Sequence, residues 1–148
     1  MARWEPDSRG RLAEAAFALY SERGFDETTV AEIAERAGLT ERTFFRHFAD
    51  KREVLFAGSS VLQDAMVAAV AEAPPDATPL EAAAAALDAA TTFLSDRAFS
   101  ARRQAIIDAH PELQERELIK LATLSAALAA TLRRRGVAEP AASLTADI

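Results

Sequence analysis

The fold class this sequence predicts is all-α: an N-terminal three-helix unit with a helix-turn-helix, then a helical second domain. Three observations predict it. The 148 residues are rich in alanine and poor in β-branched types, which favours helix almost throughout. Apolar residues recur at three- and four-residue spacing. Helix starts and stops are marked by caps: Thr29-x-x-Glu32, Thr40, Asp50-x-x-Glu53 and Thr78-Pro79-x-Glu81 as starts, and Gly24, Gly38 and Gly136 as stops.

Each element follows from these signals. A first helix is predicted from Asp7 to Arg23, with Leu12, Ala16, Leu19 and Tyr20 on one stripe and Gly24 ending it; Phe25 follows as the hydrophobic contact of the C-cap. The second runs over Val30, Ile33, Ala34 and Ala37 and stops at Gly38. The third begins after Thr40. On a wheel of about 100° per residue, Phe44 and Phe48 lie within about 40° of each other and read as core. Arg42 and Arg46 point the opposite way, flanked by Thr43 and Phe45. A fourth helix is predicted as one piece from Lys51 to Glu72, carrying Leu62, Met66 and Val70. The proline-rich stretch Ala71 to Pro79 is a linker. Further helices are expected from Thr78 to about Leu94, from Asp96 to Asp108, from His110-Pro111 to Arg135, and from Pro140 to Ile148. The domain boundary is placed after residue 54, giving residues 1–54 and 55–148.

Two short helices joined by a tight glycine turn make a helix-turn-helix, whose second helix enters the DNA major groove. An exposed face of Arg, Thr and Arg suits the reading of base edges, because Arg binds guanine in bidentate fashion and the Thr methyl meets thymine. Helix N-termini add unpaired amides for phosphate. The same Arg pair also fits a merely solvated face.

The segment Thr29, Val30, Ile33, Ala34, Ala37, Gly38, Thr40, Thr43, Phe44, Phe45, Arg46, His47, Phe48 and Lys51 resembles the DNA-binding domain of TetR/AcrR-type transcriptional repressors over about 50 N-terminal residues. That family shows Thr before Val-x-x-Ile-Ala, an Ala-Gly turn, a capping Ser or Thr, an aromatic-rich third helix and a closing Lys. The resemblance implies groove contacts by Arg42, Thr43 and Arg46. It implies phosphate contacts by Thr29 and Thr40, and backbone contacts by His47 and Lys51. Where the family usually has Tyr, this chain has Phe45, which has no hydroxyl for phosphate; an apolar contact with a thymine methyl or sugar, or packing, is left to it.

For the remaining chain the resemblance implies a regulatory domain that binds a small effector between its helices and dimerises through two closing helices. The chain ends near the start of the first of these, so it is either a short variant or incomplete. Candidate pocket residues are Met66, Phe93, Phe99, Ile106 and His110, with Leu87, Ile107, Leu118 and Leu121 as further apolar positions. The implied partners are a palindromic double-stranded operator, an unidentified effector and a second copy of the chain. No cofactor and no metal are implied.

Composition narrows the alternatives. Without Cys there is no disulfide framework and no cysteine-based metal site. MARWEPDSRG lacks an apolar signal core, and charges are expected to keep every apolar run below the roughly 18 residues of a membrane span, so the cytoplasm is the expected compartment. No Gly-rich phosphate loop or paired metal-ligand spacing supports an enzyme. The charge balance runs against DNA: the chain is at −6, and residues 1–57 carry nine Lys and Arg against eleven Asp and Glu, a net −2, where a nucleic-acid coat is normally basic. That imbalance, with Phe45, keeps open a second reading: a helical protein-interaction adaptor that has lost DNA binding.

Overall fold

The computed structural model describes residues 7–148. Met1–Pro6, on which part of the signal-peptide reading rests, lie outside the described residues. All regular elements among the described residues are helical: α1 Ser8–Arg23, α2 Val30–Ala37, α3 Glu41–His47, a 3-10 turn Lys51–Phe56, α4 Ser59–Ala71, α5 Pro79–Phe93, α6 Arg97–Asp108, α7 Pro111–Arg134 and α8 Ala141–Asp147. They form two compact units that divide between Ala57 and Gly58, three residues beyond the boundary expected from sequence. The shift has a packing cause: Val54, Leu55 and Phe56 are all buried, and the 3-10 turn that carries them packs on α1.

In the first unit the local signals act as predicted. The Asp7 carboxylate accepts from the Gly10 N–H at 2.9 Å and caps α1. The Thr29/Glu32 capping box is fully formed, and Gly38 ends α2 in the left-handed region at φ +73°, which costs Gly little. Leu12, Ala16, Ile33 and Phe44 are fully enclosed, with Tyr20, Phe25, Ala34 and Phe48 almost so. The Phe44 and Phe48 rings lie 5.4 Å apart. Phe48 is core, as expected, but by another route: it is the C-cap of α3 in extended conformation and leaves the helix wheel.

The fourth predicted helix is split. The Asp50 carboxylate accepts from the Arg52 N–H at 2.9 Å, and the following residues take i→i+3 bonds, such as Ala57 N–H to the Val54 carbonyl at 3.2 Å. Such 3-10 turns stay short, and Gly58 then caps α4. The apolar runs also differ from expectation. From Val54 to Ala71 only Asp64 is charged, so Lys51–Ala71 is long and apolar enough to cross a membrane by length and composition. Within it Val54, Leu55 and Phe56 are buried in the first unit and Met66 and Val70 in the second, while most of the stretch is exposed or half-buried.

The second unit packs α4, α5, α7 and α8 around Met66, Val70, Ala82, Ala86, Ala90, Leu128, Leu132 and Ala142. The small side chains of α5 allow close approach to α4. Arg135 ties the end of α7 to the α4–α5 turn, donating to the carbonyls of Ala73 at 2.8 Å and Pro74 at 2.7 Å. Helix α6 lies on α7 through buried Ile107 and Leu113. A half-buried cluster joins them, with Arg103 at 3.2 Å and Lys120 at 2.6 Å from Glu117.

Candidate nucleic-acid interface and the cleft of the second unit

Helix α3 is held from behind by Phe44, and its opposite side faces solvent. Arg42, Phe45 and Arg46 are exposed; Thr43 and His47 are half-buried. Thr40 caps the helix by accepting from the Thr43 N–H at 3.1 Å, and the two hydroxyls lie 3.0 Å apart. Phe45 is 53% exposed, and its ring meets Phe44 nearly edge-on at 5.4 Å and 84°. That contact fixes its direction and leaves its outer face in water.

The Lys and Arg side chains of this unit divide into two classes. Arg23 pairs with Glu32. Arg36 pairs with Glu22 at 2.9 Å, and Arg52 with Asp50 at 2.7 Å. Arg11 donates to the Ala37 carbonyl at 2.6 Å. Arg9 donates to the Ala57 carbonyl at 3.1 Å and lies 5.0 Å from the centre of the Phe48 ring. Among the described Lys and Arg residues of the unit, only Arg42 and Arg46 make no hydrogen bond or ion pair, and both stand on α3. Glu22, Glu32 and Asp50 are engaged in local ion pairs and Asp7 in a cap, which leaves the unit's net charge of −2 unchanged. The Arg36 guanidinium holds the Glu22 carboxyl below its usual range, and Arg52 does the same for Asp50.

Two expected contacts are engaged inward. The Lys51 ammonium donates to the carbonyls of Phe25 at 2.7 Å, Thr28 at 2.9 Å and Asp26 at 3.4 Å, and sits 4.5 Å from the centre of the Phe25 ring. An ammonium has three protons, so the group expected at the DNA backbone serves here as a clamp on the α1–α2 loop. Thr29 is likewise occupied: its N–H and hydroxyl both reach the Glu32 carboxylate, at 2.9 and 3.1 Å. The His47 ring lies beside Phe48, and its Nε2 is buried with no hydrogen-bond partner among the described residues. Sequence reasoning missed the residues that brace the site: Arg9, Arg11 and Tyr20, whose hydroxyl donates to the Lys51 carbonyl at 2.6 Å. Burial pushes the Tyr20 hydroxyl far above its ordinary pKa, with Asp50 adding to the shift. These contacts span 26 to 48 residues and leave no periodic signal.

The family model for bacterial regulatory proteins of the tetR family matches residues 12–57, which hold every contact just described except those of Arg9 and Arg11. The HTH-type transcriptional regulator TcmR of Streptomyces glaucescens is 39% identical over 82 residues, 55% of this chain and 36% of TcmR. Residues 12–57 form a tetR-family domain. A second relative, the HTH-type transcriptional repressor KstR2 of Mycobacterium tuberculosis, is 45% identical over 47 residues, 32% of this chain and 24% of KstR2. The matched stretch thus spans about a third or less of these relatives' own length. Two solved structures share the fold. The chain of the SmeT–triclosan complex superposes with a TM-score of 0.64 at 21% identity, covering 94% of this chain and 73% of that one. A TetR-family regulator from Mesorhizobium loti gives 0.59 at 22% identity, covering 95% and 78%. Both relatives are named as transcriptional regulators.

The second unit contains a cleft of about 530 Å³ between α4, α5, α7 and α8. Met66, Val70, Leu87, Leu121 and Leu128 form much of its apolar wall. Of the pocket residues expected from sequence, Met66 lines it, as do the further positions Leu87 and Leu121. Phe93, Phe99, Ile106 and His110 do not. Phe93 and Phe99 are solvent-exposed, at 45% and 36%, and His110 precedes α7 with its Nδ1 2.8 Å from the Ile106 carbonyl. These four belong to the end of α5, to α6 and to the start of α7, outside the lining of the cleft. Leu118 is exposed at 67% and Ile107 is enclosed under α6; neither lines the cleft.

Proposed function

We propose that this chain is the DNA-reading and effector-sensing part of a ligand-responsive repressor that binds a palindromic operator as a dimer in the cytoplasm. One observation carries the DNA assignment: among the described residues of the first unit, the two arginines without a protein partner stand together on the exposed face of α3. Arg42 and Arg46 read base edges, where guanine O6 and N7 suit a guanidinium. Thr43 lies between them, and Phe45 offers an apolar edge to a thymine methyl or a sugar. Thr40 and Thr29 approach phosphate from the two N-caps, Thr29 after its hydroxyl and amide leave Glu32. His47 reaches the backbone only after its ring turns to bring Nε2 out. Lys51 has no place among the contacts; it positions the loop.

Two copies with recognition helices about 34–36 Å apart read the two half-sites of a palindrome. The cleft supports effector binding, since its volume lies in the range of small-molecule sites, and the same fold occurs in a chain solved with triclosan. A ligand moves the DNA-bound population only by its differential affinity for the two arrangements. Helix α4 is the natural lever, because Met66 and Val70 line the cleft and its chain runs directly on from the 3-10 turn that starts at Lys51.

The adaptor reading, a helical protein-interaction module that has lost DNA binding, predicts no preference for a palindrome. Gel-shift titration with a palindromic and a scrambled duplex tests the proposal. Arg42→Ala with Arg46→Ala is expected to abolish preference for the palindrome while the circular dichroism and melting of the protein stay unchanged. Unaltered operator affinity in the double variant defeats the groove assignment.

A further inference from the structure

Resting on the reading of the second unit as an effector domain, we infer that its cleft selects lipophilic molecules bearing a positive charge, with Asp147 as the counter-charge, and disfavours carboxylates. The composition of the wall carries this. Apart from Ser125, Thr145 and Asp147, every lining side chain is aliphatic or Met. Asp147 is the one ionisable side chain of the wall, and no Lys, Arg or His lines it. The Asp147 carboxylate on α8 accepts a hydrogen bond from the Ser125 hydroxyl on α7, and no cation among the described residues pairs with it. It is also exposed, so it marks the rim rather than the floor.

This arrangement suits an amphipathic cation. The apolar body lies against Met66, Leu87 and Leu128, where removal from water is the driving force. The charged head stays at the rim beside Asp147 and avoids the large penalty of burying an ion without a partner. A carboxylate of the same shape meets a like charge there, and its only side-chain donors on the wall are two hydroxyls.

Matched naphthalene probes test the inference by calorimetry on the 148-residue chain: 2-naphthylmethylammonium, 2-naphthalenemethanol and 2-naphthoate. The ammonium ion is expected to bind most tightly and the carboxylate most weakly. Asp147→Asn, at an exposed position, is expected to weaken the ammonium ion by roughly three- to fivefold, the size of an exposed ion pair, and to leave the alcohol essentially unchanged. Leu87→Trp, which fills the cleft from its rim, is expected to weaken all three. If the carboxylate binds as well as the ammonium ion, or Asp147→Asn leaves their ratio unchanged, the charge selection is refuted while the cleft stands. If none of the probes binds saturably, or Leu87→Trp leaves binding intact, the cleft itself is refuted as an effector site.

Discussion

Lys51→Met separates two roles that a lysine at this position can play. In the structure its ammonium holds two short hydrogen bonds to loop carbonyls, at 2.7 and 2.9 Å, and a longer one at 3.4 Å. Hydrogen bonds to a charged group contribute about 1.5–3 kcal/mol each when well enclosed. Lys51 is half-buried, and the carbonyls it leaves can turn to water, so each short bond is discounted to about 1 kcal/mol. The contact with the Phe25 ring adds a few tenths, partly retained because a thioether also packs well on an aromatic edge. The sum is about 2 kcal/mol, which for a unit of this size moves the melting midpoint down by roughly 10 °C. Thermal melts measure that loss, and binding to a duplex at several salt concentrations supplies the second readout. A phosphate contact contributes about 0.9 to the slope of log affinity against log salt. The clamp reading requires the midpoint to fall and the slope to hold. A slope reduced by about one, with the melt unchanged, would show that Lys51 neutralises a phosphate and that the clamp is idle.

Further outcomes follow from the same geometry. Glu41→Gln removes the carboxylate beside Arg42 at the exposed start of α3 and is expected to raise duplex affinity a few-fold at low salt, an effect that fades as screening rises; fluorescence anisotropy reads it directly. Tyr20→Phe deletes the 2.6 Å bond to the Lys51 carbonyl and removes a titration. Because burial raises the folded Tyr20 above its usual value, its stabilising contribution is complete below the unfolded pKa of about 10 and fades as pH rises above it. The wild type should therefore lose stability above about pH 10 more steeply than the variant, and matching alkaline melts would contradict the assignment. Asp50 has the opposite sign. The Arg52 hydrogen bond lowers its folded pKa, so its contribution holds above the unfolded value of about 4 and is lost as pH falls below it. Asp50→Asn should flatten the acid limb of the stability curve. Gly38→Ala forces a side chain into the left-handed region with its Cβ 3.2 Å from the Arg11 guanidinium, and is expected to cost about 1 kcal/mol in urea unfolding.

Much of the fold is legible in the sequence because it is written locally. A cap needs one hydroxyl or carboxylate and the amide three residues on, so Thr29, Thr40 and Thr78 announce α2, α3 and α5 without reference to the rest of the chain. Periodicity likewise separates Phe44 from Arg42 within a single turn and a half. The split of the fourth predicted helix escapes such signals for the complementary reason. Its sequence suits helix throughout, and only the burial of Val54, Leu55 and Phe56 in one unit and Met66 in the other divides it.

By itself, then, the order of residues determined the helices, their ends and the outward face of α3, since backbone hydrogen bonding and capping act over three or four residues. The tertiary structure alone decided which charges are neutralised. Arg36 meets Glu22 from 14 residues away and Lys51 meets Phe25 from 26, and residue types alone do not distinguish such a paired cation from a free one. It also decided where the cleft opens, because Met66, Leu87, Leu128 and Asp147 come from four helices whose convergence depends on the small residues of α5, not on a pattern in any one of them. Among the described residues of the first unit, those pairings leave Arg42 and Arg46 as the guanidinium groups without a partner.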